Sequence, residues 1–221
     1  SMRGGGAERV LLNLINGIDD KNYEMSLAVV DFKGELWSGI PSHAEKIHLR
    51  VPGIISKLGR FVYRKFGNKT LFRIQAARLN RKFDVVFSFI DSPYTEIMYQ
   101  LRHQPQKKYI VVHSSYISYT DRNNLISTEH HKRMLKRYNK SDGIICVSNE
   151  SKRQFKELFP VKVNCKVIYN PMNTHDILLN SHVNDEHSKE EVFTFLAIGS
   201  LMPVKNFKAL IRAASIVKRS N

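Results

Sequence analysis

The sequence predicts an α/β protein: a doubly wound parallel sheet, followed by the start of a second domain of the same kind. Short apolar runs rich in β-branched residues alternate with helical patterns, an order typical of parallel strands joined by crossover helices. Polar residues follow several of these runs, at the strand ends where sheets of this kind bind ligands. The chain has 221 residues, 42% of them hydrophobic, which is enough to bury a sizeable core.

Five apolar runs are interpreted as strands of the first domain. They cover residues 23–30, 84–90, 107–114, 142–148 and 165–170, and the second run is expected to be buried. Helical patterns lie within residues 3–18, 53–67, 70–82, 129–140 and 151–159. The expected strand ends carry the polar residues Asp91, Ser92, His113, Ser114, Ser148, Asn149 and Asn170.

The pattern divides the chain into three parts. Residues 1–171 form the first domain, whose first strand is expected to precede the glycines and to be missing from this chain. Residues 172–191 are polar, aperiodic and acidic at their end, which is typical of a linker. Residues 192–221 are interpreted as the first strand and helix of an incomplete second domain. In that helix, one side is expected to face inward, with Leu210, Ile211, Ala214 and Val217.

The formal net charge of +15 calls for an anionic partner. Phosphate-bearing ligands, nucleic acid and an acidic membrane surface all meet that requirement. The chain has no run of eighteen apolar residues and no signal-peptide pattern, so a cytoplasmic protein is expected. Cys146 and Cys165 lie in apolar runs and are expected to be reduced core thiols. No His, Cys or carboxylate spacing indicates a metal site.

The charge is concentrated between Lys46 and Lys82, where eleven Lys or Arg residues occur without one acidic residue. Inside this segment, a helical pattern places Ile54, Ile55, Leu58, Phe61, Val62 and Phe66 on one arc, with cations beside it. One interpretation is a helix that binds an anionic membrane surface. The other is an ordinary helix that packs its apolar arc on a sheet. The first interpretation assigns membrane binding to Lys57, Arg60, Phe61, Arg64 and Lys65.

The stretch "RGGGAERVLLNLINGI" places three glycines directly before a helical pattern. Glycines at a helix N-terminus let backbone N–H groups approach an anion closely, and the helix dipole favours the negative charge. The competing interpretation is a disordered glycine-rich terminus.

Five motifs occur in an order that resembles a known family. They are Gly5-Gly6-Ala7-Glu8, His113-Ser114, Val147-Ser148, Tyr169-Asn170-Pro171 and, after the linker, Ile198-Gly199-x-Leu201-x-x-x-Lys205-Asn206. Together they resemble the retaining glycosyltransferases of the GT-B fold, group 1 or family 4, which build bacterial capsule, O-antigen and related surface polysaccharides. The resemblance implies a Rossmann-like acceptor-side domain followed by a nucleotide-sugar-binding domain.

The resemblance also implies an activity and its residues. A family member transfers a sugar from a nucleotide-diphosphate donor to a hydroxyl of a glycan or polyprenyl-linked acceptor, with retention of configuration and without a metal or other cofactor. His113 takes the catalytic position. The donor-binding positions are Gly5, Gly6, Ser148, Asn170, Gly199, Ser200 and Lys205. Ser200 stands where the family usually has an arginine.

Simpler interpretations of three of these residues stay open. His113 can be a satisfied strand-end histidine, Ser148 a helix cap, and Asn170 a turn residue before Pro171. The family's donor-binding glutamates are expected beyond Asn221, so this chain alone is expected to be an inactive fragment. The enzyme is expected at the inner face of the cell membrane, as a peripheral protein.

Two other classes of protein compete with this assignment. A non-enzymatic basic α/β module that binds nucleic acid or an anionic surface accounts for the charge. Its aromatics, however, lie on the apolar arc and not on an exposed stacking platform, so nucleic acid is not the expected partner. A dinucleotide oxidoreductase is disfavoured because the glycines do not form the G-x-G-x-x-G pattern.

Overall fold

The structure is a computed structural model that describes residue 2 and residues 4–113, 128–181, 195–199, 201 and 205–220. The chain forms two compact units, Ser1–Asn173 and Thr174–Asn221.

The described residues of the first unit form six strands, and every strand pair among them is parallel. Strands β1 and β2 form one sheet, and strands β3 to β6 form a second sheet in chain order. Their bounds are Ser26–Val29 (β1), Glu45–His48 (β2), Val85–Ser88 (β3), Lys107–Val112 (β4), Gly143–Cys146 (β5) and Cys165–Val167 (β6). The predicted α/β class with parallel strands is confirmed, although the described strands lie in two sheets and not in one.

Helices connect these strands. They are α1 (Gly6–Gly17), α2 (Gly53–Phe66), α3 (Thr70–Ala76), α4 (Glu129–Tyr138) and α5 (Asn149–Leu158), with 3-10 helices at Glu35–Trp37 and Pro93–Gln100. Local chemistry explains several of the ends. Thr128 caps α4 by accepting the N–H of His131 at 3.1 Å. Helix α2 ends at Gly67, whose φ of 72° lies in the left-handed region that favours glycine.

Three apolar clusters stabilise the first unit. The largest joins strands β4 and β5 to the inner sides of α4 and α5, with Ile110, Val112, Ile144, Cys146, Met134, Tyr138, Phe155 and Leu158. A second cluster joins α2 and α3 to the segment after β2 and to the second 3-10 helix, with Tyr63, Leu71, Phe72, Leu49 and Ile97. The third packs α1 on residues near the first 3-10 helix, with Leu12, Ile15, Leu36, Ile40 and Ala44.

Strands β2 and β3 depart from the sequence prediction. The prediction that residues 84–90 form a buried strand was wrong, because the side chains of Val85 and Phe87 are 43% and 54% exposed. In the described part of the chain, β3 pairs only with β4, so it is an edge strand with one open side. Strand β2 was not predicted, because it is short, charged and only partly buried. Its sequence, "EKIH", contains no apolar run that would indicate a strand.

The two cysteines agree with the prediction of reduced core thiols. Cys146 and Cys165 are both free and buried. Burial raises the pKa of the Cys146 thiol to about 11, which keeps this residue in its unreactive protonated form.

The second unit contains helices α6 (Thr174–Ser181) and α7 (Phe207–Ser220). Helix α6 lies inside the segment that the sequence indicates as a linker. Residues 195–199 have no regular secondary structure, although a strand was predicted from residue 192. The prediction that Leu210, Ile211, Ala214 and Val217 face inward was also wrong, because all four are exposed. Among the described residues of this unit, no sheet is present to cover them.

Candidate active site

The carboxyl ends of three strands define the candidate site. Because β3, β4 and β5 are parallel neighbours, their carboxyl ends lie at one edge of the sheet. Asp91, His113 and Ser148 follow these strands, and the three residues are called the strand-end edge below.

His113 is held in a defined orientation after β4. Its ring packs on Phe89, with 4.6 Å between the ring centroids. The backbone of Phe89 accepts a hydrogen bond from the imidazole. Nε2 is buried without a partner among the described residues. We therefore assign Nδ1–H as the donor to Phe89. Burial lowers the pKa of His113, which favours the neutral ring. In the neutral ring, Nε2 carries a lone pair that can accept a hydrogen bond from a hydroxyl group.

Gly4 and Gly5 directly precede α1, and Gly6 is the first residue of this helix. Gly4 has a φ of 97°, a conformation that side-chain-bearing residues rarely adopt. Gly5 is the N-cap of α1, and a Cβ atom on it would lie 2.3 Å from Oε2 of Glu8. A Cβ atom on Gly6 would meet no atom within 4 Å. The carboxylate of Glu8 therefore lies over the loop at Gly5.

Ser148 caps α5, which agrees with the simpler interpretation of this residue. Its hydroxyl oxygen accepts the N–H of Ser151 at 3.0 Å, and the hydroxyl oxygen of Ser151 accepts the N–H of Ser148 at 3.1 Å. This reciprocal pair is a capping box, so the side chain of Ser148 already serves the helix. Asn170 is exposed, and the next residue, Pro171, accepts a hydrogen bond from Asn13 of α1 at 3.2 Å.

The remaining donor-binding candidates belong to the second unit. Gly199 and Lys205 are close to each other, since a Cβ atom on Gly199 would lie 3.6 Å from Cγ of Lys205. Both residues are exposed. Ser200 lies outside the described residues.

Asp91 belongs to a buried ion pair that the sequence did not indicate. Its Oδ1 accepts a hydrogen bond from Nη2 of Arg137 at 2.8 Å, and the hydroxyl of Tyr138 donates to Oδ2. The side chains of Asp91 and Arg137 are 5% and 4% exposed. Burial raises the pKa of Asp91, while the charge of Arg137 opposes that shift. This contact ties the end of β3 to α4 and engages Asp91, so we assign it a structural role.

The apolar arc of α2 is open to solvent. Ile54 and Leu58 are 83% and 61% exposed, and Tyr63 is the buried residue of this helix. Its exposed apolar residues are Ile54, Ile55, Leu58, Phe61 and Phe66, and its exposed cations are Lys57, Arg60, Arg64 and Lys65. These nine residues are called the α2 surface below. The interpretation in which this arc packs on a sheet is therefore wrong.

The Tyr63 side chain and the Arg64 carbonyl each attach α2 to the rest of the unit. The hydroxyl of Tyr63 donates to Oε1 of buried Glu96 at 3.1 Å, and Lys69 pairs with Oε2 of the same residue at 2.5 Å. At the C-terminus of α2, the carbonyl of Arg64 accepts a hydrogen bond from Nη2 of Arg133 at 2.7 Å.

The described residues provide no cluster of three or more His, Cys, Asp or Glu residues that could hold a metal ion. In "EHH", the buried ring of His131 lies with Nε2 2.6 Å from the carbonyl oxygen of Leu158 and stacks on Phe159. In the described part of the chain, no helix has the length and apolar character needed to cross a bilayer.

Parallel strands with polar residues at their carboxyl ends, and a glycine loop that opens the first helix, define a Rossmann-like α/β domain. The family model of Glycosyltransferase Family 4 matches residues 4–176, more than three quarters of the chain. The chain belongs to this family. A search of curated proteins finds no match to the chain. Family membership supports a transferase that moves a sugar from a donor to an acceptor. It does not support the two competing classes, a non-enzymatic basic module and an oxidoreductase.

Proposed function

We propose that the protein transfers a sugar from a nucleotide-diphosphate donor to a hydroxyl of a glycan or polyprenyl-linked acceptor, with retention of configuration. The reaction uses no metal or other cofactor and contributes to the synthesis of a bacterial surface polysaccharide, such as a capsule or O-antigen. The environment of His113 is the observation that carries this proposal, because its buried Nε2 has no hydrogen-bond partner among the described residues and its ring is packed on Phe89 at the end of β4.

His113 has the chemistry to recognise a sugar hydroxyl. Its Nδ1–H is engaged by the backbone of Phe89, so the neutral ring accepts at Nε2. A buried acceptor without a donor costs about 1–3 kcal/mol, and a bound sugar hydroxyl removes that cost. This contact orients the sugar whose bond to the leaving phosphate breaks.

The leaving diphosphate needs stabilisation of its developing charge. Lys205 and the backbone around Gly199, in the second unit, are assigned to this task. Gly5 and Gly6, at the N-terminus of α1, are assigned to donor binding by the first unit. A cation and N–H donors fixed near the phosphate stabilise the transition state more than the ground state. Ser200, in place of the usual arginine, leaves Lys205 as the cation of this turn.

We infer that the α2 surface contacts an anionic membrane and that this cytoplasmic enzyme works at the inner face of the cell membrane. Exposed apolar side chains beside four exposed cations match the requirements of interfacial binding. Each cation near an anionic surface contributes about 1 kcal/mol, so four together give an attachment that salt weakens. A lipid-linked acceptor is presented at that surface.

A donor panel tests the proposed activity. The full product of the gene is incubated with uridine- and guanosine-diphosphate sugars and with polyprenyl-linked acceptors, in the presence of a chelator. We expect release of nucleoside diphosphate with one donor, and a product in which nuclear magnetic resonance shows retained anomeric configuration. Transfer that a chelator abolishes, or an inverted product, would contradict the proposed mechanism.

A further inference from the structure

The two sheets of the first unit begin side by side, and each has an open edge in the described part of the chain. Among the described residues, β1 pairs only with β2, and β3 pairs only with β4. Arg81, shortly before β3, bonds to Glu24 just before β1 at 2.5 Å and to Glu45 at the start of β2 at 2.6 Å. Strands β1, β2 and β3 therefore start at the same end of the unit.

The backbones of β1 and β3 direct alternate residues away from the strand with which each is paired. The carbonyl of Val29 accepts a hydrogen bond from the segment that follows β2, at 2.8 Å, so Val29 faces β2 and Ala28 faces away. The carbonyl of Asp84 accepts a hydrogen bond from the first residue of β4, at 3.0 Å, so Val85 and Phe87 face away from β4. Outward N–H and C=O groups of this kind are able to pair with another strand.

Apolar clusters cover both faces of the sheet beside the open edge of β1. Leu27 lies on one face and packs on the cluster around α1. Ile47 pairs with Ala28 in the register, so it lies on the opposite face, where it packs on the cluster around α2 and α3. Val86 of β3 packs on that same cluster. A strand between β1 and β3 is therefore buried on both faces, as central strands of parallel sheets are.

Met2 marks where a strand in this position ends. Its N–H donates to the carbonyl of Lys33 at 2.9 Å, and its own carbonyl accepts the N–H of Leu36 at 3.1 Å. Both partners lie in the segment that follows β1, and the Met2 side chain is 1% exposed within the cluster around α1. A segment that runs into Met2 in the direction of β1 therefore passes along the open edge of β1 before it reaches the glycines.

We propose that the open edges of β1 and β3 form a docking slot for one parallel strand, supplied by residues that precede Ser1 in the full product of the gene. The sequence indicates a strand before the glycines, and the structure assigns its two neighbours, its direction and its end. The occupant is an apolar, β-branched run of about four to six residues, a length that matches the neighbouring strands. It joins the two sheets into one and brings the glycines to the strand-end edge, beside the end of β3.

Hydrogen exchange, followed by nuclear magnetic resonance, tests the slot without any substrate. We expect the outward amides of Ala28, Val85 and Phe87 to exchange at least about tenfold more slowly in the full product than in the chain that begins at Ser1, because a paired N–H is protected. Val167 is the matched control. Its amide faces outward from β6, at the opposite edge of the described sheet, and should exchange at the same rate in both proteins.

A proline substitution separates a docked strand from a general change in stability. Val85→Pro removes an N–H that faces away from β4 and leaves the hydrogen bonds between β3 and β4 intact. It should lower the urea midpoint of the full product and leave that of the shorter chain unchanged. Val167→Pro makes the same change at the opposite edge and should have equal effects in both proteins. If the shorter chain does not fold, the outward amides of Val85 and Val167 are compared within the full product alone.

Three results would overturn the proposal. The first is equally fast exchange at Val85 and Val167 in the full product. The second is protection at Val85 that increases with protein concentration, since this would show that a second copy of the chain pairs with the open edges. The third is a full product in which no apolar run directly precedes Ser1.

Discussion

The strand-end edge and the α2 surface differ in how their side chains are held. At the edge, Asp91, His113 and Ser148 each make a specific hydrogen bond within the unit. On the α2 surface, the apolar side chains are exposed, and the cations point to solvent. A site for one ligand orientation needs fixed groups, whereas a surface for a fluid bilayer needs only area and charge. The comparison separates the region proposed for catalysis from the region proposed for membrane attachment.

The largest expected effect is a loss of transfer activity when a candidate site residue is removed. His113→Ala and Lys205→Ala should each lower transfer by roughly one to three orders of magnitude, because each removes a group that the proposed function assigns to the reacting sugar or phosphate. Steady-state transfer rates of the full gene product, measured with a soluble acceptor, check this result. Lys208→Ala, an exposed cation on α7, is the matched control and should retain activity. Unchanged rates in both variants would show that the assignment of these residues is wrong.

Removal of Arg137 should have the largest effect on stability. Arg137→Ala leaves Asp91 buried without its partner, and we expect a loss of about 3–5 kcal/mol in the free energy of unfolding. Urea titrations followed by circular dichroism measure the change. The comparison variant, Arg133→Ala, removes a single hydrogen bond to the carbonyl of Arg64 and should cost only about 1 kcal/mol. Equal losses would contradict the idea that the edge is fixed more firmly than α2.

Charge reversal on the α2 surface should abolish attachment without loss of the fold. The variant replaces Lys57, Arg60, Arg64 and Lys65 by glutamate, and we expect it to remain in the supernatant with anionic vesicles at low salt. The unchanged chain should co-sediment with these vesicles and be released as salt rises.

A control for that variant reverses four exposed lysines elsewhere, Lys21, Lys33, Lys140 and Lys166, so that the net charge changes equally. It should retain most of the binding. Circular dichroism checks that both variants are folded. If the control loses binding to the same extent, or if neutral vesicles bind equally well, the α2 surface is not a specific membrane contact.

The smallest expected effect concerns Ser148. Ser148→Ala removes the cap of α5 and should cost about 1 kcal/mol of stability, because the N–H of Ser151 loses its acceptor. Thermal unfolding measures this loss. Ser148→Asp, which restores a cap, should recover the stability. If both variants also keep full transfer activity, Ser148 is a structural residue, and the edge contributes His113 alone to donor binding.

Much of the first unit could be predicted from local sequence. The runs at 107–114 and 142–148 are apolar enough to indicate strands β4 and β5, and their ends located His113 and Ser148. Strand β2 could not be predicted in this way, because its residues are charged and half-exposed and its pairing with β1 is a long-range contact. The error on β3 also concerns long-range pairing, since an edge strand and a central strand can have the same apolar pattern.

The sequence by itself determined the parallel α/β class and the family, because these depend on local pattern and order, and it proposed the glycine loop and His113 as site residues. Only the tertiary structure decided which groups are free. It showed that Asp91 is engaged by Arg137, that the arc of α2 is uncovered, and that the carboxylate of Glu8 lies at Gly5. Burial and pairing join residues distant in the chain, so a periodic pattern identifies an apolar face without revealing what covers it.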